Sequence, residues 1–158
     1  MNRMTHGTKG RIALALGLPG LLVVPGCLAV TDVSLPDIVG DWVATQARFA
    51  NVANINETLD ITDLGWEVTL QIDGDGTYIL TLDEPGEPPD PRTGTISVEN
   101  GKDLIVTNAA GKVGEGEVFQ EDDQIAIMFD KFSGLKPVDI HKDGNPIPVT
   151  LLLVMVRQ

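Results

Sequence analysis

Two residue groups in this 158-residue chain have the types and spacing that metal or acid–base chemistry uses. In Asp73-Gly74-Asp75-Gly76-Thr77 the carboxylates alternate, as they do in oxygen-coordinating cation loops. Such a loop needs Gly at its sixth position and a bidentate Glu at its twelfth. Counted from Asp73, Glu84 falls at the twelfth, but the sixth is Tyr78. The residues from Thr77 onward also alternate as a strand does, so the group reads as a hairpin turn. The second group is Ile140-His141-Lys142-Asp143. A catalytic triad would need a nucleophile beside the His and an acid to orient it, and Ser34, Ser97 and Ser133 lie in no nucleophile-elbow pattern. Zinc needs three or four good nitrogen or sulfur ligands, and the chain has 2 His and 1 Cys. Carboxylate pairs abound among 23 acidic residues, but their spacing singles none out. The expectation is no catalytic residue, no metal site, no cofactor and no enzymatic activity.

The single Cys is informative for another reason. Residues 1–11 carry Arg3, Lys9 and Arg11 with no acid, and the apolar run 12–24 follows. A basic segment before a short apolar one is the pattern of a secretory signal peptide. Gly17, Pro19 and Gly20 interrupt the run, which falls short of the ~20 residues a membrane-spanning helix needs. Val24-Pro25-Gly26-Cys27 comes next and resembles the lipobox of bacterial lipoproteins, with Pro25 as a departure from the usual small residue. The resemblance implies cleavage before Cys27, acylation of its thiol and amino group by chains such as palmitate, and attachment to a membrane through that lipid. Leu28, rather than Asp, follows the Cys; in a Gram-negative host this favours the outer membrane, at its periplasmic face or at the cell surface. Removing the leader takes three basic residues and no acid, leaving eight basic against 23 acidic residues and moving the net charge from −12 to −15. Such a surface repels a phosphate backbone, whose affinity rests on Lys and Arg, so no nucleic-acid partner is expected. The expected layout is a signal peptide at 1–26, a lipid-anchored tether at 27–37 and a folded domain at 38–158.

That domain reads as short strands. Residues 66–73 (WEVTLQID) place Trp66, Val68, Leu70 and Ile72 on one face and polar residues on the other, the period-two pattern of a half-buried strand. The Asp75-Gly76 turn leads into 77–83, with Tyr78, Leu80 and Leu82 on one face. Further strands are expected at 41–49, 94–99, 103–107, 114–120, 124–130 and 150–157, joined mostly by tight turns. Two longer connections, 50–65 and 131–149, remain; the second has turn signals of its own at Lys142-Asp143-Gly144-Asn145. Residues 84–91 (EPGEPPDP) read as a stiff, solvated loop, because Pro cannot donate to a ladder. About eight strands in an antiparallel meander, with no long amphipathic helix, indicate an all-β up-and-down barrel, whose closure removes exposed edges. A β-sandwich is the alternative.

Gly40-Asp41-Trp42 matches the Gly-x-Trp that opens the first strand of lipocalins, and the long first loop followed by WEVTLQIDGDGTYILTL resembles small bacterial lipocalin-like lipoproteins. The resemblance implies a barrel closed at one end by Trp42, with Arg157 near the end of the last strand packing over it.

Two functional readings follow. The lipocalin-like barrel holds a small apolar ligand lined by Trp66, Val68, Leu70, Tyr78, Leu80, Ile96, Ile125, Ile127 and Phe129, the same residues a dry core would require. Alternatively, the protein is a non-enzymatic envelope interaction protein, an inhibitor or assembly factor, working through its acidic loops (84–90 and 121–123) or its last strand. Those loops also suit weak divalent-cation binding or simple solvation. Residues 150–156 are apolar on both faces, so either a partner or the 131–149 loop, with Phe132, Leu135, Val138 and Ile140, should cover the outer row.

Overall fold

The computed structural model describes residues 32–131, 137–141 and 143–158. The leader and Cys27 lie outside these residues, as do Ser133, Phe132, Leu135 and Lys142. The strands are β1 (Gly40–Asn51), β2 (Asn54–Asp60), β3 (Glu67–Ile72), β4 (Thr77–Asp83), β5 (Asp90–Glu99), β6 (Asp103–Asn108), β7 (Val113–Glu121), β8 (Gln124–Lys131) and β9 (Val149–Arg157). β3 to β9 pair antiparallel in chain order, and β1 pairs with both β3 and β9. Eight strands thus close a barrel, consistent with a lipocalin-like arrangement, and β2 lies outside the ring. All eight expected strands form, with ends that differ by a few residues. The largest shift is in β5, which begins at Asp90 and includes Pro91. β6 pairs with β5 only from Gly94 onward, so Pro91 sits where that edge is free and a missing N–H is tolerated.

Alternation decides which side chains fill the barrel. Val68, Leu70 and Ile72 on β3, Tyr78, Leu80 and Leu82 on β4, Ile125, Ile127 and Phe129 on β8 and Leu151, Leu153 and Met155 on β9 are all buried in one core. β1 breaks strict alternation. Trp42 and Ala47 both face inward although they are an odd number of positions apart, because the pairing with β9 shifts register between Ala44 and Gln46. This bulge moves the inward positions from even to odd numbers, and Phe49 follows Ala47 into the interior.

β2 occupies part of the 50–65 stretch expected to be a loop. β3 covers only Gly40–Val43 of one β1 edge, and β2 takes up the far end of that edge through Arg48↔Asp60, Phe49↔Leu59 and Ala50↔Thr58. Its sequence, NINETLD, has no apolar alternation, so the free edge of β1 rather than local preference makes it a strand.

At the opposite end, α1 (Leu35–Ile38) lies across the barrel base. Ile38 is fully buried, Val33 donates its N–H to the Gly101 carbonyl at 2.6 Å, and Gln120 Nε2 donates to the Asp37 carbonyl at 3.2 Å. The packed domain therefore begins near Val33, inside the segment read from sequence as tether. The Trp42 indole donates to the Ile38 carbonyl at 2.9 Å, and the Arg157 guanidinium lies 4.4 Å above the indole ring. Arg157 also donates to the carbonyls of Val39 (2.6 Å) and Asp37 (3.0 Å), which joins the last strand to the helix. Gly40 makes room for this arrangement: its φ is +139°, and a Cβ there would come within 2.5 Å of Arg157 Nη1.

Candidate functional site

The barrel interior is filled. Among Leu70, Tyr78, Leu80, Ile96, Val106, Ile127, Phe129 and Leu153 only about 10 Å³ stays open, room for one water at most. The larger space lies above it, at the end opposite α1, where a cleft of about 450 Å³ opens to solvent. Its apolar walls are Phe49 from β1, Leu59 from β2, Ile61 and Leu64 from the following turn, Trp66, Leu82 from β4 and Val138. Its rim is Glu84, Glu87, Pro88, Asp90, Arg92, Pro137 and Asp139. Because β2 lies outside the ring, the segment from 54 to 66 forms a side wall to the mouth. Phe49 meets Trp66 edge to face there, with ring centroids 6.3 Å apart and planes at 88°. This volume lies within the ~300–1,000 Å³ typical of small-molecule sites.

Of the nine residues expected to line a ligand, the structure brings only Trp66 to this cleft. β3 starts one residue after it, and Trp66 is half-buried at the mouth rather than inside. Val68, Leu70, Tyr78, Leu80, Ile96, Ile125, Ile127 and Phe129 are all buried in the core. Eight converging strands leave too little volume below the mouth for both these side chains and a guest.

Two inward-facing polar groups have unusual surroundings, Arg92 at the rim of the cleft and Tyr78 in the filled interior below it. Arg92 and Tyr78 both point inward, since Arg92 pairs with Leu80 and Tyr78 with Gly94. Arg92 donates from Nη2 (2.8 Å) and Nε (3.3 Å) to a single oxygen of Asp90. Its Nη1 is buried with no partner, and so is the Tyr78 hydroxyl, on a residue only 4% exposed. Burial pushes the Tyr78 phenol above its ordinary value, and the nearby Arg92 charge opposes that rise. Sequence reading missed Arg92, although it is the sole basic residue between Arg48 and Lys102 and shares the inward parity of Ile96.

The segment after β8 frames the other side. Val138 and Ile147 form an isolated bridge with reciprocal backbone hydrogen bonds, around a turn where Asp139 accepts the N–H groups of Asp143 and Gly144. His141 is exposed, and its Nε2 lies 3.3 Å from Glu57 on β2, so this pair ties the two walls of the mouth together. The amides of Asn51 and Asn54 also donate to Glu57, and with His141 they hold its carboxyl below the ordinary range.

Asp73 to Thr77 form a tight turn at the closed end, where Asp75 accepts both the N–H and the hydroxyl of Thr77. Among the described residues no three His, Cys, Asp or Glu side chains are grouped to hold a metal. The two acidic loops lie at opposite ends. Residues 84–90 border the cleft, whereas 121–123 turn at the base, where the Asp123 carbonyl accepts the Arg157 N–H. No helix among the described residues is long and apolar enough to cross a membrane. No protein-family model matches this chain, and no curated protein matches it either.

Proposed function

We propose that this is a lipid-anchored protein of the bacterial envelope whose barrel takes a small, largely apolar ligand at its open mouth. The observation that carries the reading is the cleft of about 450 Å³, walled by Phe49, Leu59, Ile61, Leu64, Trp66 and Leu82 and set over a filled barrel. A ligand there rests on the core as on a floor and buries its apolar body against the β2 wall. Cys27 supplies the anchor. Four residues separate Cys27 from Asp32, five Cα-to-Cα steps with a reach of at most ~18 Å, and the chain enters the fold at the closed end. This supports an orientation with α1 toward the bilayer and the mouth away from it. At a net charge of −15 the mature protein is repelled by anionic headgroups, so the lipid does the holding.

The test is native mass spectrometry of the protein from its host membrane. The expected result is a mature chain starting at acylated Cys27 that carries a small molecule, released when Trp66 is changed to Ala. A Cys27→Ala protein that stays membrane-bound would overturn the anchor, and a chain that is empty in every preparation would overturn the ligand reading.

The outer face of β9 supports a second reading, an envelope partner. Leu152, Val154 and Val156 are half-buried there, and Leu152 pairs with Met128, which is 36% exposed. Site-specific photo-crosslinking from position 128 in the host tests it, with a single reproducible adduct expected.

A further inference from the structure

The charge around the opening of the cleft bears on the head of its ligand. Glu84, Glu87 and Asp90 recur at every third position between β4 and the start of β5, and Asp139 borders the same space from the segment after β8. The first three are exposed, so a molecule in the cleft can reach them. Arg92 is the one cation among the described lining residues, and it offers an anion no donor: Nε and Nη2 both donate to Asp90, and Nη1 is shut off from solvent. Four carboxylates against one guanidinium leave the border at −3. Among the described residues no three of these acids converge to grip a bare metal ion. Spread around an apolar space, they suit a larger organic cation. Leu59, Leu64, Trp66 and Val138 keep part of their surface open, which gives an aliphatic body somewhere to lie.

We propose that the cleft selects amphiphiles with a cationic head, such as an alkylammonium, whose tail lies against Leu59, Leu64 and Trp66 while the head stays among Glu84, Glu87 and Asp90; this selectivity rests on the cleft being the ligand site. At a wet rim the head keeps most of its hydration, so it pays little desolvation, and each nearby carboxylate adds a modest attraction. Asp139 is fixed in place by the N–H groups of Asp143 and Gly144, so its charge stays at the opening. An indole face attracts cations better than other aromatic rings do, and Trp66 borders the same space. An anionic head would meet the excess of like charge and find no free donor. A small hydrophilic cation would leave the apolar walls facing water.

The test uses the full chain with Cys27→Ala, so that no acyl group of its own competes, titrated at pH 7 with decyltrimethylammonium, decanol and decanoate below their micellar and solubility limits. Tryptophan fluorescence reports the site, because Trp66 stands at the mouth and Trp42 is buried at the base. In about 0.01 M salt, where charges are felt over ~30 Å, the cation is expected to bind about fivefold more tightly than decanol, and decanoate more weakly. In about 1 M salt, where that reach falls to ~3 Å, the advantage should disappear. Glu84→Gln with Glu87→Gln should cut it at least by half and leave decanol unchanged. Asp122→Asn with Asp123→Asn removes the same charge from the exposed turn at the base and should leave the advantage as it was. Equal binding of the cation and decanol, a preference for decanoate, or equal effects of the two double substitutions overturns the cationic assignment and leaves the cleft as an apolar site. Failure of all three probes to bind overturns the ligand reading together with it.

Discussion

Trp42 shows how one side chain closes a barrel. It is 1% exposed, donates to the Ile38 carbonyl and carries Arg157 on its face, so it joins β1, α1 and β9. Removing it leaves a void that the strands cannot fill without breaking their ladders. Trp42→Ala should cost about 3–5 kcal/mol in a denaturant titration, and a loss under 1 kcal/mol would show that the base is held elsewhere. Gly40→Ala tests the same corner through the backbone. The added Cβ meets Arg157 Nη1 and must adopt a φ of +139°, so a loss of about 1–3 kcal/mol is expected. Tyr78 behaves in the opposite sense. Its hydroxyl is buried without a partner, so Tyr78→Phe should stabilise the protein by about 1 kcal/mol. A lower melting temperature in the ligand-free variant would mean that the hydroxyl has an acceptor.

At the scale of elements, α1 and β2 are the two pieces whose existence depends on contacts distant in sequence. α1 has four residues, too short to be stable alone, and it persists because Val33 and Ile38 are buried against the barrel base. A chain starting at Asp32 should melt where the longer one does, whereas one starting at Gly40 loses Val33, Ile38 and the carbonyls that receive Arg157 and Trp42. Differential scanning calorimetry of the two truncations checks this, and identical melting temperatures would make α1 dispensable. β2 is the weaker element. It pairs on one side only, through a register that slips between Ala50 and Asn51, and it buries little. Its amides should exchange with deuterium well before those of β3 and β4, which are paired on both sides. Since Leu59 and Trp66 border the cleft, a mobile β2 wall is also what would admit a ligand.

For the whole molecule, acid should unfold this protein through a few carboxylates. Burial pushes Asp60 up, but bonds from Thr62, Arg48 and the Ala47 backbone outweigh it and hold the group below its ordinary 3.8. Glu57 is held below its ordinary 4.5, and Asp37, Asp75 and Asp143 below 3.8. A folded-state value below the unfolded one means that the stabilisation is complete above the unfolded value and disappears as pH falls through the folded one. The melting temperature should therefore stay level with respect to these groups above about pH 5 and fall progressively below it. Asp60→Asn should lower the plateau and flatten the acid limb, and an unchanged acid limb would remove Asp60 from the account.

Much of the barrel was legible because alternation is local. Trp66 to Asp73 declares its own inward face, and Asp75-Gly76 declares a hairpin whatever the rest of the chain does. The candidate site was far less legible. Eight of the nine residues expected to line a ligand have the right polarity and inward direction, but the same properties make them core, and the choice depends on whether side chains from eight strands meet in the middle. Those side chains fill the interior and displace the open space to the mouth. There β2, a strand only because the edge of β1 extends past β3, builds a wall that NINETLD does not announce. The order of strands, their turns and the acidic character of the surface thus follow from the chain itself, since each is decided within a few neighbouring residues. The position of the cleft, the plug at the base and the unpaired donors of Arg92 and Tyr78 arise only on closure, because each is made by residues that closure alone brings together.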